Sequence, residues 1–339
     1  MLSPRQELLL RKVVDGYLVE GAPVGSKALA ADVDVGWGPS TVRHELAVLE
    51  EHGFLAHPYT SAGRIPTDAG YRYFVDRLLE SAAGPRASLE LELVQREVDE
   101  AMHITTATLS QVTDLLAIVS APPPQTATVR HVEVLLLQPH VLMVVVITST
   151  GGVTKRVFTF AEDIDSGLTA WAASYLNEQL VGLGLGARML QSRLADPSLG
   201  VSEQRFLAAL APAFTELANR AEDIIYFDGT GRLLAEGRLS DASELNELMT
   251  LLERRVTLLG VLRTALGQRD VLVRIGAENQ APGLRSMGLV TAGYGLPQRP
   301  LGTVSVIGPV RMDYPLAIGA VREAALQLSD FIAEVYADA

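Results

Sequence analysis

Two hydroxyls, a guanidinium and an imidazole lie close together near the start of the chain, on Ser40, Thr41, Arg43 and His44. Such groups hydrogen-bond to base edges in the DNA major groove and to phosphates when the N-terminal half of a helix presents them. The same side chains would also form the solvated polar face of an ordinary amphipathic helix. The stretch taken alone therefore leaves both DNA recognition and plain solvation open.

A short helix is predicted to carry these four side chains. Gly38 suits an N-cap, and Pro39 suits the first helical position, where a missing N–H costs no hydrogen bond. The apolar positions recur at helical spacing and form one face: Val42, Leu46 and Leu49. The polar side chains lie off that face. Gly53 is predicted to end the helix, because a left-handed residue commonly follows the last turn.

A hairpin is predicted directly after this helix. Residues 54–56 and 64–66 flank the sequence PYTSAG, which is typical of a loop between two short strands. Its predicted phosphate donors are Tyr59, Thr60 and Ser61. Arg64 is expected near the tip of the loop, free to reach a phosphate or a narrow minor groove. A surface loop with one solvated arginine is the alternative interpretation.

Other helices frame this pair of elements. Residues 4–20 have helical spacing of apolar side chains with Ser3 as N-cap, and residues 26–31 suit a second, short helix. Thr67 is predicted as the N-cap of the helix after the hairpin. Helix, short helix, reading helix and hairpin occur in the order of a winged helix-turn-helix, so double-stranded DNA is the first expected partner.

Several motifs are similar to those of one known family. They are PVGSK at 23–27, PYTSAGRIPT at 58–67, GYRY at 70–73 and RMDY at 311–314. Along essentially its whole length the chain resembles the heat-inducible transcription repressor family HrcA. That family usually has Arg-Asn-Asp-Met in its reading helix, whereas this chain has Arg-His-Glu-Leu from Arg43 to Leu46. Asn and His pair differently with bases, so the contact at His44 is expected to differ.

The resemblance implies a homodimeric repressor of chaperone operons that binds an inverted-repeat operator, is relieved by heat stress and is modulated by the chaperonin. It implies an α+β fold with a winged-helix DNA-binding domain at 1–82. A GAF-like α+β sheet domain at 83–189 and 269–339 would be interrupted by a mostly helical, inserted dimerisation domain at 190–268. A winged-helix regulator switched by a small molecule in the GAF-like domain is the alternative.

Periodicity predicts the elements beyond the first 80 residues. After a linker of small residues at 82–88, residues 89–119 are expected to be mostly helical. Strands are expected at 128–138, 141–148, 153–160, 270–275, 288–293 and 302–307, and helices at 166–183 and 314–336. The two groups of strands, with helices around them, are expected to form one α+β sheet domain with a largely helical insertion at roughly 190–268. The leucine stripe of helix 241–266 makes it the expected dimer element, although intrachain core would use the same stripe.

Composition narrows the function. The 339 residues are 48% hydrophobic, which allows two or three domains, and no run approaches the roughly 18 apolar residues of a membrane span. Cysteine is absent, which fits a cytoplasmic protein and removes thiolate chemistry. The histidines lack metal-ligand spacing, and GLGLGA at 182–187 follows a helix where a dinucleotide site needs a strand. We therefore expect no enzyme activity, no cofactor and no metal.

Charge sets a limit on DNA affinity. The net charge is −12, and residues 1–80 carry 8 basic and 11 acidic side chains, whereas DNA-binding domains usually carry a basic excess. A local positive face is nevertheless expected from Arg43, His44, Arg64 and Arg72. We expect modest non-specific binding, with a dimer needed for useful affinity.

Overall fold

The protein has a mixed α+β fold. The computed structural model describes residues 2–59, 63–80, 87, 89, 91, 93, 98–122, 127–149, 152–214, 225–234, 242–265, 270–297 and 299–337. The helices are α1 (Pro4–Glu20), α2 (Ser26–Ala31), α3 (Pro39–Glu51), α4 (Asp68–Glu80), α5 (Val98–Thr113), α6 (Ser166–Leu180), α7 (Arg188–Leu194), α8 (Val201–Leu210), α9 (Thr230–Leu234), α10 (Ala242–Glu253), α11 (Arg255–Leu262) and α12 (Tyr314–Ala337). The strands are β1 (Leu55–Ala56), β2 (Ile65–Pro66), β3 (Leu116–Ser120), β4 (Val129–Gln138), β5 (Val141–Thr148), β6 (Val153–Thr159), β7 (Ile225–Asp228), β8 (Leu272–Ile275), β9 (Met287–Leu296) and β10 (Arg299–Pro309).

The N-terminal module, residues 2–80, has the predicted order of elements. Ser3 caps α1 reciprocally: its hydroxyl accepts from the Gln6 N–H at 3.3 Å, and the Gln6 side chain accepts from the Ser3 N–H at 2.9 Å. β1 and β2 pair antiparallel between α3 and α4, which confirms the hairpin. The linker expected at 82–88 lies outside the described residues, apart from Ala87.

A five-stranded antiparallel sheet follows, in the order β7-β3-β10-β9-β8. The three late strands and the closing helix are confirmed, but β3 corrects the helix expected up to residue 119. Asp114 has a φ of 54° and ends α5 two residues before the strand. A short, continuous apolar run has the same sequence pattern in a buried helix and in a central strand, so periodicity cannot tell the two apart. β7, at the sheet edge, was expected within a helical segment.

The strands β4, β5 and β6 form a separate antiparallel sheet, so the two groups of strands expected in one sheet domain belong to two different sheets. One face of this sheet packs on α6 in a hydrophobic core of its own, to which α7 and α8 also contribute and which extends from Ala127 to Phe214. The expected boundary between residues 189 and 190 divides this core, since Leu185 and Leu190 both belong to it. Alternation predicts that a segment is a strand, but not which strand it pairs with.

The segment 241–266, the expected dimer element, packs within the chain over its described residues 242–265. It is two helices, α10 and α11, separated at Arg254. Leu248, Leu259 and Leu262 are fully or almost fully buried against one face of the five-stranded sheet, and α5 and α12 cover the other face. The intrachain interpretation of the leucine stripe is therefore confirmed for these three side chains.

α4 joins the N-terminal module to the five-stranded sheet. The Arg72 guanidinium donates to Glu278 at 2.8 Å (Nε to Oε1) and to the Val273 carbonyl at 2.7 Å. One turn earlier, the Asp68 carboxylate accepts from the Ala277 N–H at 3.1 Å. These bonds connect residues about 200 positions apart and set the orientation of the module on the sheet.

Replacing Arg72 with Ala is expected to lower the free energy of unfolding by about 1–2 kcal/mol, because Glu278 and the Val273 carbonyl lose a charged donor in a half-buried place. Denaturant unfolding would measure the change. Arg77→Ala is the control, since Arg77 pairs with Glu7 at the surface and should change stability by less than about 1 kcal/mol. Equal effects of the two substitutions would contradict the assigned role.

Candidate nucleic-acid interface

α3 presents its N-terminal half to solvent. Gly38 and Pro39 begin the helix as predicted, and Gly53 follows it with a φ of 78°. The apolar face is fully or almost fully buried in the module: Val42, Leu46 and Leu49. On the opposite side Ser40, Arg43 and His44 are exposed, and Thr41 is half-buried. The structure thus brings together all four predicted side chains of the helix.

The turn between α2 and α3 is held by an ion cluster. The Lys12 ammonium on α1 donates to Asp32 at 2.8 Å and to Asp34 at 2.6 Å. The Asp32 carboxylate also accepts from the Asp34 N–H at 2.9 Å. The hydrogen bond from Lys12 lowers the pKa of Asp32, and the bond from the Asp34 N–H lowers it further. Conversely, the hydrogen bonds to the Asp32 and Asp34 carboxylates raise the pKa of Lys12. The cluster sets where α3 begins relative to α1.

Asp32→Asn is expected to destabilise the protein at neutral pH and to have less effect in acid. Because the pKa of Asp32 is lowered on folding, its stabilising contribution is present above about pH 4 and is lost as the pH falls through the folded value. Melting temperatures of both proteins from pH 7 downward should therefore converge. Glu51→Gln, at an exposed carboxylate of the same module, is the control. A constant difference across the pH range would contradict this assignment.

Thr67 and Gly70 fasten the hairpin to α4. The Thr67 hydroxyl accepts from the Gly70 N–H at 3.1 Å, as predicted for an N-cap, and donates to the Gly53 carbonyl at 2.6 Å. A Cβ on Gly70 would lie 2.2 Å from the Phe54 carbonyl oxygen, so only glycine fits there. These contacts explain why threonine and glycine occur three residues apart after the hairpin.

Arg64 does not lie near the tip of the loop, and that expectation is wrong. It directly precedes β2 at the base of the hairpin, where its guanidinium contacts the Glu50 carboxylate on α3 at 2.8 Å. The His57 ring contacts the other oxygen of the same carboxylate. The side chain of Arg64 is only 19% exposed, because α3 and the hairpin enclose it. Sequence separation alone could not show that Glu50 would reach it.

The loop itself is only partly described. Tyr59 lies on it with 64% of its surface exposed, which fits a side chain available to a partner. Thr60 and Ser61, the other two predicted donors of the loop, lie outside the described residues.

The positive face is smaller than the sequence suggests. Arg64 pairs with Glu50, and Arg72 pairs with Glu278 and Asp76. Of the four basic side chains expected there, Arg43 and His44 are the two that have no ion pair within the described part of the chain. The acidic groups of the module are largely engaged elsewhere: Glu7 with Tyr73 and Arg77, Asp32 and Asp34 with Lys12, Glu45 with Gln6, and Asp68 with Ala277.

Sequence reasoning missed Glu50, His57 and Val24 as parts of this site. The Arg64 N–H donates to the Val24 carbonyl at 2.8 Å, and the Val24 N–H donates back at 2.9 Å. The usable signal was weak: a glutamate in the last turn of α3 and two basic residues at the two ends of the loop. An exposed helix N-terminus with a guanidinium, an imidazole and a hydroxyl can donate to bases and phosphates.

No helix of the described ranges is long and apolar enough to cross a bilayer. Within the same ranges, no three His, Asp or Glu side chains are grouped so that they could hold a metal ion.

Known proteins match this chain over most of its length. Residues 99–318 match the model of the HrcA protein C-terminal domain. Heat-inducible transcription repressors HrcA from Frankia casuarinae and Thermobifida fusca are 36% and 35% identical, over 98% of this chain and 99% and 98% of theirs. A crystal structure of a hypothetical protein at 2.2 Å resolution shares the fold, with a TM-score of 0.68 and 19% identity over 99% of this chain and 100% of that one. The chain therefore belongs to the HrcA family of heat-inducible transcription repressors.

Proposed function

We propose that the N-terminal module is a winged helix-turn-helix that binds the operator of the repressed genes. The observation that carries this proposal is the exposed N-terminal half of α3, which shows Ser40, Arg43 and His44 while the opposite face is buried. A helix of this kind enters the major groove with its N-terminal residues at the base edges. The helix N–H groups that lack partners add attraction for a phosphate.

The proposed contacts divide between the helix and the loop. Ser40, Thr41, Arg43 and His44 contact base edges and nearby phosphates. From the loop, Tyr59, Thr60 and Ser61 contact the phosphate backbone of the DNA. Arg64 remains in the proposed interface at the base of the hairpin, but its pairing with Glu50 neutralises much of its charge. It should therefore contribute less to the salt dependence of binding than an unpaired arginine.

We propose that the repressor acts as a homodimer on an inverted repeat. Two modules related by a two-fold axis require a site with matching symmetry. Linking them also makes the second half-site contact intramolecular, which raises the affinity without any new contact. The acidic net charge makes this gain important, because one module with few unpaired cations binds weakly by itself.

The outer face of the three-stranded sheet is the proposed dimer surface, and we call it the sheet face. Its apolar members are Leu135, Val141, Met143, Val145, Ile147, Val153 and Val157. The three on the outer strands are 38–64% exposed, and the four on β5 are half-buried. A contiguous apolar surface of this kind marks an interaction site, since the other face of the sheet already packs on α6.

Charge placement points to a second copy of the chain as the occupant of the sheet face. Val145 pairs in register with Glu133 on β4 and with Lys155 on β6, so the two charges flank it. A two-fold axis parallel to the strands would place Glu133 of each copy opposite Lys155 of the other. An axis across the strands would oppose Glu133 to Glu133. The proposed dimer therefore has its axis along the strands.

Regulation by heat follows from the family, and we propose that the chaperonin modulates the amount of active repressor. A dimer whose DNA affinity depends on correct folding loses activity when folding assistance is withdrawn. Titrating the operator with repressor before and after incubation with chaperonin and ATP should show a rise in the active fraction. An unchanged active fraction would count against this part of the proposal.

Fluorescence anisotropy tests the operator proposal. Labelled duplexes would carry the inverted repeat from the chain's own chaperone promoter, one half of it, or a scrambled sequence, each at two salt concentrations. We expect a strong preference for the full repeat and a steep loss of affinity with salt. Equal, weak binding to all three duplexes, also after chaperonin treatment, would overturn the proposal.

A further inference from the structure

We infer that Glu50 is a positioning residue that holds the hairpin and α3 together, so that both meet DNA as one rigid unit. The inference rests on the proposed DNA-binding function and goes beyond it, because Glu50 itself need not touch DNA. Its carboxylate joins the last turn of α3 to both ends of the loop.

The geometry of the carboxylate carries the inference. One oxygen contacts the His57 ring just after β1, and the other contacts the Arg64 guanidinium just before β2 at 2.8 Å. The side chain of Glu50 therefore bridges the two ends of the loop. Because the side chain of Glu50 is only 27% exposed, solvent screens these two contacts less than it screens a surface ion pair.

The backbone of Arg64 is fixed as well. It exchanges two hydrogen bonds with Val24, in the connection between α1 and α2. A Cβ on the preceding Gly63 would lie 2.4 Å from the Val24 carbonyl oxygen, so glycine permits this close approach. Arg64 thus links three parts of the module: it belongs to the hairpin, its backbone binds the α1–α2 connection, and its side chain binds α3.

Removal of the carboxylate has two opposite consequences, and together they distinguish positioning from a plain structural role. Without Glu50, the His57 and Arg64 side chains are released and can bind any phosphate, which raises affinity for all DNA. The two ends of the hairpin loop, at His57 and Arg64, also lose their attachment to α3, which lowers affinity for the operator in particular. The ratio of operator to scrambled-DNA affinity should therefore fall.

The test compares Glu50→Gln with Glu51→Gln, a matched control that removes the same charge from the neighbouring, exposed position. Anisotropy titrations with operator and scrambled duplexes give the affinity ratio of each protein. We expect Glu50→Gln to lower this ratio at least about 10-fold while scrambled-DNA binding rises. We expect Glu51→Gln to leave the ratio within about 2-fold of the original protein. Equal ratios for the two variants would overturn the inference.

Hydrogen exchange supplies a readout that needs no DNA. The Arg64 and Val24 amides are hydrogen-bonded to each other's carbonyls, so they should exchange slowly. Glu50→Gln should speed exchange of these amides, with α1 amides unchanged as proof of folding. Glu50→Asp, which keeps the charge but shortens the reach, should give an intermediate rate. Unchanged exchange would overturn the inference, whereas failure of operator binding by the original protein would overturn only the proposed function.

Discussion

Val145→Arg is expected to dissociate the proposed dimer and to reduce operator affinity at least about 100-fold. Val145 lies at the centre of the sheet face, between Glu133 and Lys155. Around a two-fold axis along the strands, two arginines would meet at this point. Burying two like charges costs several kcal/mol, and each 1.4 kcal/mol is about a factor of ten in an equilibrium constant.

The isolated subunit should tolerate this substitution. Val145 is only half-buried in one chain, and its neighbours Val144 and Val146 are the ones that point into the core. Sedimentation velocity gives the oligomeric state, and anisotropy with full and half operators gives the loss of affinity. Val201→Arg is the control, because Val201 is 66% exposed at the start of α8, away from the sheet face. A Val145→Arg protein that remains dimeric would rule out the sheet face as the interface.

Arg43→Ala is expected to weaken operator binding by about 1–3 kcal/mol, which is roughly 5- to 150-fold. The guanidinium is exposed in the N-terminal half of α3 and has no ion pair within the described residues, so both ends of its fork are available to one base. Among the described residues, no hydrogen-bond or ion-pair partner loses a contact. Stability should therefore stay within about 0.5 kcal/mol of the original protein.

The specificity of this effect is measured with the scrambled duplex. Loss on the operator alone would identify a base contact, whereas an equal loss on both duplexes would make Arg43 a phosphate contact. Arg11→Ala is the matched control, since Arg11 lines the groove between α1 and α4 and not the face of α3. If Arg43→Ala bound the operator as tightly as the original protein, the proposed role of α3 would be wrong.

Local chemistry in the sequence accounts for much of the candidate site. Ser3, Pro39 and Thr67 begin helices because of short-range capping, and glycine at position 53 permits a left-handed φ. The spacing of Val42, Leu46 and Leu49 decides which face of α3 is buried, so Ser40, Arg43 and His44 are exposed as predicted. The sequence also predicts the strands β4, β5 and β6, because alternation of apolar and polar residues over several positions is a strong signal.

Long-range packing decided the remaining features. Leu116–Ser120 is a strand because β10 and β7 lie on either side of it, and those strands are about 100 or more residues away. The outer face of the three-stranded sheet exists because β4 to β6 pair among themselves, and the sequence pattern does not specify that pairing. A periodic pattern specifies the buried side of a segment, but its partner depends on which other segments bury the most apolar surface.

The arginines of the N-terminal module show most clearly what local sequence determines and what tertiary packing decides. Arg43 and Arg64 are the same residue type within one module, and both look available in the sequence. Folding places Glu50 beside Arg64, and Glu278 beside Arg72, while Arg43 keeps its exposed position on α3. Whether a charge can bind DNA depends on the nearest opposite charge in space, since Coulomb attraction acts over a few ångströms regardless of sequence distance.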